Sequence, residues 1–365
     1  MSFKQRKQLA ITSAHAAGLD ALLVTHLPDV RYLCGFTGSS AVLVLHKRPA
    51  GPVAVLFTDG RYTLQAKQEA VGTRVVIAKK SALREACAWL EQNGAARCGF
   101  DAAQTTVATL QVLRQAVSSK IRRSFFQPVA GLVARQREVK DSKELALMRD
   151  AALLGCRLYE HILSFMASGL SERAVAAELE YAARLSGADG MSFETIVASG
   201  PRSALPHGRA TQAKLPRHGF VTLDFGVILD GYCSDMTRTV YMGKSSSEER
   251  AAYDAVLEAQ EAAVAAVAPG ATCGAVDEAA RGVLRRAGLD RWFTHSTGHG
   301  VGIEIHEGPR IAKGQTQKLE PGMVVTIEPG MYMAGKFGIR IEDMVVVTTT
   351  GQEVLTPAPK AWTTL

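Results

Sequence analysis

Two aspartates, Asp224 and Asp235, stand in the stretch VTLDFGVILDGYCSDMTRT (221–239). Thr222, Phe225, Val227 and Ile228 favour one strand and Tyr232 with residues 237–240 a second, around the turn dipeptide Asp230-Gly231. With those two residues as the loop, facing residues have numbers summing to 461: Gly226 opposes Asp235, and Asp224 lies diagonally across on the same face. Two carboxylates held together repel unless a proton or a cation intervenes, and a divalent metal ion meets that need. Further ligands must then come from elsewhere in the chain. HSTGHGVGIEIHEGPR (295–310) holds three of the nine histidines, His295, His299 and His306, among glycines that admit close backbone approach. Glu328 follows the strand-prone residues 324–327 and precedes Pro329-Gly330, which places it at a strand end. Glu342 falls inside an expected alternating strand over 339–347, where a charge is costly unless compensated. His207, between Pro206 and Gly208, belongs to a loop after an expected strand over 192–198.

Four carboxylates with one or more imidazoles form an oxygen-dominated set, suited to a pair of hard or borderline divalent ions such as Mn²⁺, Co²⁺ or Zn²⁺. Such a set supports hydrolysis by a water activated between two ions, with the remaining imidazoles binding substrate or stabilising a tetrahedral intermediate.

The elements that must position these residues can be read in outline. At 365 residues the chain exceeds what one core usually serves, so two domains are expected. Residues 19–24, 41–45 and 53–57 read as strands, with helices over 62–69, 82–92 and 101–118 between them, a pattern that predicts a small amino-terminal α/β domain over 1–130. That domain reads as structural or dimerising, with Arg31, Tyr32 and Arg61 as candidate loop residues to close over a site. The stretch from Phe126 to Lys140 looks like a connector, and we bound the connector at 131–142 and a catalytic domain at 143–365. A helix is expected over 143–165. GLSERAVAAELEYAARLSGAD (169–189) then echoes GATCGAVDEAARGVLRRAGLD (270–290) at an offset of 101, with Ser171 or Thr272 at an N-cap and Gly187 or Gly288 at the helix stop. The later copy follows a helix that opens on the capping box Ser246 to Glu249 and runs to Pro269-Gly270. Residues 140–350 therefore read as two similar α/β halves with a site at their junction.

Composition narrows the function classes. The formal charge is +7, but Lys79-Lys80, Lys120, Arg122-Arg123, Arg135 and Lys140 have no interleaved aromatics and no nucleic-acid motif, so a solvated basic face is expected and no nucleic-acid partner. No apolar run reaches membrane-span length and residues 1–18 lack a signal-peptide core, which predicts a cytoplasmic protein with no membrane partner. Cys34, Cys87, Cys98, Cys156, Cys233 and Cys273 form no CxxC and read as reduced, buried thiols.

DFGVILDGYCSDMTRT, HSTGHGVGIEIHE, TIEPGMY and GIRIEDMV resemble the successive signatures of the "pita-bread" metallopeptidases, the family of methionine aminopeptidase, aminopeptidase P, Xaa-Pro dipeptidase (prolidase) and the non-metal creatinase. The resemblance covers roughly residues 135–350, and VRYLCGFTGSSAVLVL with FTDGRY resembles the amino-terminal domain of the prolidase, aminopeptidase P and creatinase branch. It implies an α/β (α+β) pita-bread catalytic domain with pseudo-twofold halves, behind a smaller α/β domain. It also implies two divalent ions, manganese first, with Asp224, Asp235, His299, Glu328 and Glu342 as ligands, Asp235 and Glu342 bridging. Glu328 would shuttle the proton to the leaving nitrogen, His207 and His306 would bind substrate, and Arg340 would support them. Creatinase lacks an intact carboxylate set of this kind, so a creatine hydrolase is disfavoured. The implied substrate is a small peptide with proline in second position, and the implied assembly a homodimer. Arg310, four residues after His306, resembles the prolidase carboxylate-binding arginine and favours Xaa-Pro dipeptides, with aminopeptidase P activity on longer peptides as the alternative. Another amide hydrolase, or a non-enzymatic protein of this fold, is the minor alternative.

Overall fold

In the amino-terminal unit the β-branched and aromatic runs of the computed structural model pair into one six-stranded sheet, in the order Arg74–Ile77, Gly51–Thr58, Ala41–Arg48, Ala21–Val24, Cys98–Asp101 and Phe126–Val129. Residues 1–48 and 51–365 are described; they form two units, Met1–Arg137 and Glu138–Leu365. In the first, Leu23, Val44, Val55, Phe57, Leu90, Leu113 and Phe125 make the core between sheet and helices. The helix Leu27–Cys34 stops at Gly35, whose left-handed φ of 89° and close approach to the Glu69 carbonyl both require the absence of a Cβ.

Three expectations change here. Phe126–Val129 is an edge strand rather than connector, because Phe126 is buried against the core and its backbone pairs with Cys98–Asp101. Asp101 ends that neighbouring strand, and the helix begins only after the Thr106 N-cap, at Val107–Gln115. Arg31 and Tyr32 sit on a helix, Tyr32 buried with the Arg6 guanidinium over its ring, while exposed Arg61 forks onto Asp59.

The second unit is built twice. In its first half the helices Ser142–Phe165 and Glu172–Leu185 back a sheet ordered Met236–Met242, Gly219–Phe225, Ile196–Ser199; in its second, Ser247–Ala265 and Cys273–Arg286 back strands that include Asp343–Val347, Val324–Ile327, Gly298–Gly300 in the corresponding order. Every one of these helices starts on a side-chain cap: Asp141 with Glu144 and Ser246 with Glu249 as capping boxes, Ser171 and Thr272 as single caps. Gly187 and Gly288 follow the ends of the two echoed helices at positive φ, as the offset of 101 suggests. Their N-caps also bridge to matching lysines, Ser171 to Lys214 and Thr272 to Lys318. The helix from Ser247 stops at Ala265, short of Pro269, and the strand expected over 192–198 is confined to Ile196–Ser199.

Each half also ends its central hairpin in a smaller one: Val227–Leu229 with Tyr232–Cys233, and Gly330–Met333 with Phe337–Arg340. The first has the register read from the sequence, with Asp224 opposite Thr237 and Ile228 opposite Cys233, and its turn places Asp230 and Gly231 at φ of 48° and 73°. The halves meet through Met148 and Tyr232 packed with Val301, Val324 and Met344, and through the buried ion pair of Arg238 with Asp343 at 2.8 Å. The ends of the two central hairpins therefore converge, and the acids that flank those ends converge with them.

Candidate active site

Asp224 lies near the end of the outgoing strand of the first half and Asp235 just before the returning one; Glu328 and Glu342 take the matching places in the second. Glu342 is thus not inside a strand. It occupies the break between Phe337–Arg340 and Asp343–Val347, and the residues around it are buried on both faces instead of alternating. Released from the ladder, its carboxylate accepts a 2.6 Å hydrogen bond from Thr237 Oγ1 of the other half.

His299 lies on the short strand Gly298–Gly300, where a Cβ at either glycine would strike backbone, so only glycine lets the strand slot in. Its Nδ1 lies 3.0 Å from the Gly300 carbonyl and must carry the proton, which leaves the Nε2 lone pair 3.6 Å from Asp235 Oδ2 and 3.6 Å from Glu328 Oε1. Ligand atoms of Asp235, His299 and Glu342 all lie within 4.8 Å of one another. The donor set fits a cation: the buried carboxylates of Asp235 and Glu342 and the His299 imidazole bring ligand atoms to one place, while Arg340 Nη2 is engaged with Asp224. Burial, then the charge of Asp224, pushes the Glu342 carboxyl up to about 8. Burial followed by the charge of Glu342 raises both Asp235 and Glu328 well above the carboxylate range. Burial depresses His299 to about 4, the neutral state a ligand requires.

The five ligand candidates, together with His207, His306, Arg310 and Arg340, line one cavity of about 670 Å³. Asp224, Asp235, Glu342 and Arg340 are buried at its floor, Glu328 is half-buried, and His207, His306 and Arg310 are exposed towards its mouth. Arg340 binds Asp224, donates from Nε to Thr237 Oγ1 (3.1 Å) and from Nη1 to the Pro206 carbonyl (2.9 Å), so it joins the floor to the loop of His207. Arg310 stands opposite His299 in the register of Gly298–Gly300 with Glu307–Ile311. Phe193, Ile196, Pro206 and Ile305 supply apolar wall.

Two further residues, His295 and Tyr332, had no role of their own assigned from the sequence. His295 lines the cavity, and its Nε2 accepts from the Tyr332 hydroxyl at 2.8 Å, because Nδ1 donates to the Ser296 carbonyl; Tyr332 in turn accepts from Arg340 Nη1 at 2.8 Å. Burial and then the Arg340 charge lower His295 to about 4. Both residues lie within the stretches that carry His299 and Glu328, HSTGHG and TIEPGMY, but neither spacing nor type shows that they touch.

Residues 146–349 match metallopeptidase family M24, and residues 6–139 match the creatinase/prolidase N-terminal domain. The chain belongs to metallopeptidase family M24. Among relatives of this M24 chain, the uncharacterized peptidase YqhT of Bacillus subtilis is 41% identical over 343 residues, 94% of this chain and 95% of that protein. The structure of an Xaa-Pro dipeptidase from Bacillus anthracis covers the whole of both chains with a TM-score of 0.95 at 38% identity. That of an X-Pro aminopeptidase from Thermotoga maritima covers 97% of this chain and all of its own with a TM-score of 0.87 at 34% identity. The fold is therefore the creatinase/prolidase α/β domain followed by the M24 pita-bread domain. Among the described residues no helix is long and apolar enough to cross a membrane.

Proposed function

We propose that this M24 metallopeptidase is a proline-specific exopeptidase that hydrolyses Xaa-Pro dipeptides. The observation that carries the reading is Arg310, a guanidinium at the cavity wall directly across from His299, with which no acid pairs among the described residues. Asp224, Asp235, His299, Glu328 and Glu342 would hold two divalent ions, manganese first and cobalt or zinc as substitutes. When bound, the ions would polarise the scissile carbonyl and acidify a water, so that it gives up a proton as it attacks.

The chain's own residues do the rest. An Xaa-Pro amide has no N–H to offer a subsite, so recognition falls on the ring and the chain ends. Phe193, Ile196, Pro206 and Ile305 give the ring an apolar surface, and Arg310 offers the proline carboxylate a bidentate partner. His207 and His306 stand at the mouth as donors to the substrate carbonyl. Glu328, which lines the same cavity, takes at Oε the proton that the attacking water gives up and passes it to the departing proline nitrogen. The six cysteines are free and buried, which supports a cytoplasmic setting. A homodimer belongs to the same reading, checked by light scattering.

The likeness to an X-Pro aminopeptidase supports a second reading, release of the first residue from longer Xaa-Pro peptides. Manganese-loaded protein incubated with Ala-Pro, Gly-Pro and Ala-Pro-Ala decides between them by mass spectrometry: rapid cleavage of the dipeptides is expected, and inert dipeptides beside a cleaved tripeptide reject the dipeptidase. Arg310→Ala should raise KM for Ala-Pro by roughly 10- to 100-fold, the equivalent of one charged hydrogen-bonded contact, with tripeptide KM nearly unchanged. Equal effects on both substrates would remove the role given to Arg310.

A further inference from the structure

Two acids outside the cavity each gather a loop that enters it. Glu172, fully buried in the first turn of its helix, accepts hydrogen bonds from Ser199 N (2.9 Å), Ser199 Oγ (3.0 Å), Arg202 Nε (3.1 Å), Thr211 N (3.0 Å) and Thr211 Oγ1 (2.8 Å). These donors bracket the loop that carries His207, and Arg202 Nη2 closes it by donating to the Arg209 carbonyl at 2.8 Å. Asp277, also fully buried, accepts from Thr297 N (3.2 Å), Thr297 Oγ1 (2.7 Å) and Arg281 Nε (2.7 Å). Arg281 then donates to the carbonyls of Phe293 (3.2 Å) and His295 (2.6 Å). Each half thus uses one buried acid, the amide and hydroxyl of one threonine, and one arginine that ties the acid to a carbonyl of the histidine loop.

The arrangement is not a by-product of the helix echo. At the offset of 101 Glu172 corresponds to Cys273, and Asp277 to Ala176, so the two acids lie at different points of the echoed helices and reach the same end. A single carboxylate that collects several donors from one loop removes that loop's freedom, which is how a side chain at its tip is held to within the small displacement that catalysis tolerates.

We propose that Glu172 and Asp277 are positioning residues, one for each half, that fix His207 and His295 respectively in the substrate cavity. The proposal rests on the hydrolase reading only for its effect on turnover; the placement of the histidines can be read without it. In the zinc-loaded full chain labelled with ¹³Cε1-histidine, Glu172→Gln should shift and broaden the His207 resonance and leave His295 in place, and Asp277→Asn should do the reverse. Arg202→Lys and Arg281→Lys keep the charge but lose the fork, and should give the same half-specific pattern, more weakly, should the acid variants not fold. Variants that move both histidines alike, or neither, overturn the proposal.

Kinetics supply the second arm. Glu172→Gln should raise KM for Ala-Pro about tenfold in the native background and add nothing once His207→Ala is present, while its cost in the His295→Ala background is undiminished. Equal cost in both backgrounds marks a merely structural acid and overturns the assignment. A wild-type protein that cleaves no Xaa-Pro peptide defeats the proposed function, and the histidine spectra still decide the positioning roles.

Discussion

Glu342→Ala abolishes turnover, with kcat down by about four orders of magnitude, the scale expected when one member of a mutually dependent catalytic set is removed. Glu342 faces Asp235 and His299 within one cluster and takes the Thr237 hydroxyl from the opposite half, so its removal takes a ligand atom out of the cluster. The measurement is paired: bound metal by plasma mass spectrometry, expected to fall below the wild-type stoichiometry, and Ala-Pro hydrolysis. Full stoichiometry with full activity would show that Glu342 holds no ion. The same substitution removes a carboxyl that burial holds near 8, so the metal-free variant should be more stable than the metal-free parent at pH 8, by on the order of a few kcal/mol. Loss of function with gain of stability separates a ligand from a structural residue.

The second large effect is the pH dependence of the metal-free protein. Asp235, Glu328 and Glu342 have their proton affinities raised in the folded chain, so the native state holds more protons than the unfolded one above their unfolded values, and stability falls as pH rises. His295 and His299 are depressed to about 4, so from there to their ordinary 6.5 the unfolded state holds the extra proton and stability rises with pH. The two groups offset each other below about 6.5, and only the carboxylates remain above it. The melting temperature of the metal-free protein should therefore fall most steeply between about pH 6.5 and 8. Each excess native proton is worth about 1.4 kcal/mol per pH unit, and a drop of roughly 4–8 °C follows for a unit of this size. Saturating manganese removes the repulsion, so its stabilising effect grows across the same interval. A manganese shift that is constant with pH would mean that these acids do not face the ion.

Local chemistry made part of this site legible in the sequence. Asp230-Gly231 accepts two positive φ angles, and that alone set the register that places Asp224 and Asp235 together. Helix caps at Ser171, Thr272 and Ser246 read correctly because each is decided within four residues. What could not be read depends on parts of the chain far apart. The run over 339–347 looks continuous, yet the chain leaves one hairpin for another at Glu342, a break imposed by Thr237 and by the convergence of the halves. Phe126–Val129 has Pro128 within it and reads as connector until the edge of the amino-terminal sheet is there to receive it. The link from His295 through Tyr332 to Arg340 joins three residues whose neighbourhood exists only after folding.

The doubled hairpin has a consequence for how the chain reaches its native state. The acids of the two halves are separated by about a hundred residues and acquire their mutual repulsion only when the halves dock, a long-range closure that comes late and slowly. A cation has no assembled pocket to bind before that moment, and the carboxyls, ionised in the open chain, take up protons only as the halves close. Acidification to near pH 6 should hasten the docking step in refolding from denaturant, with the ion exchanging for the protons afterwards.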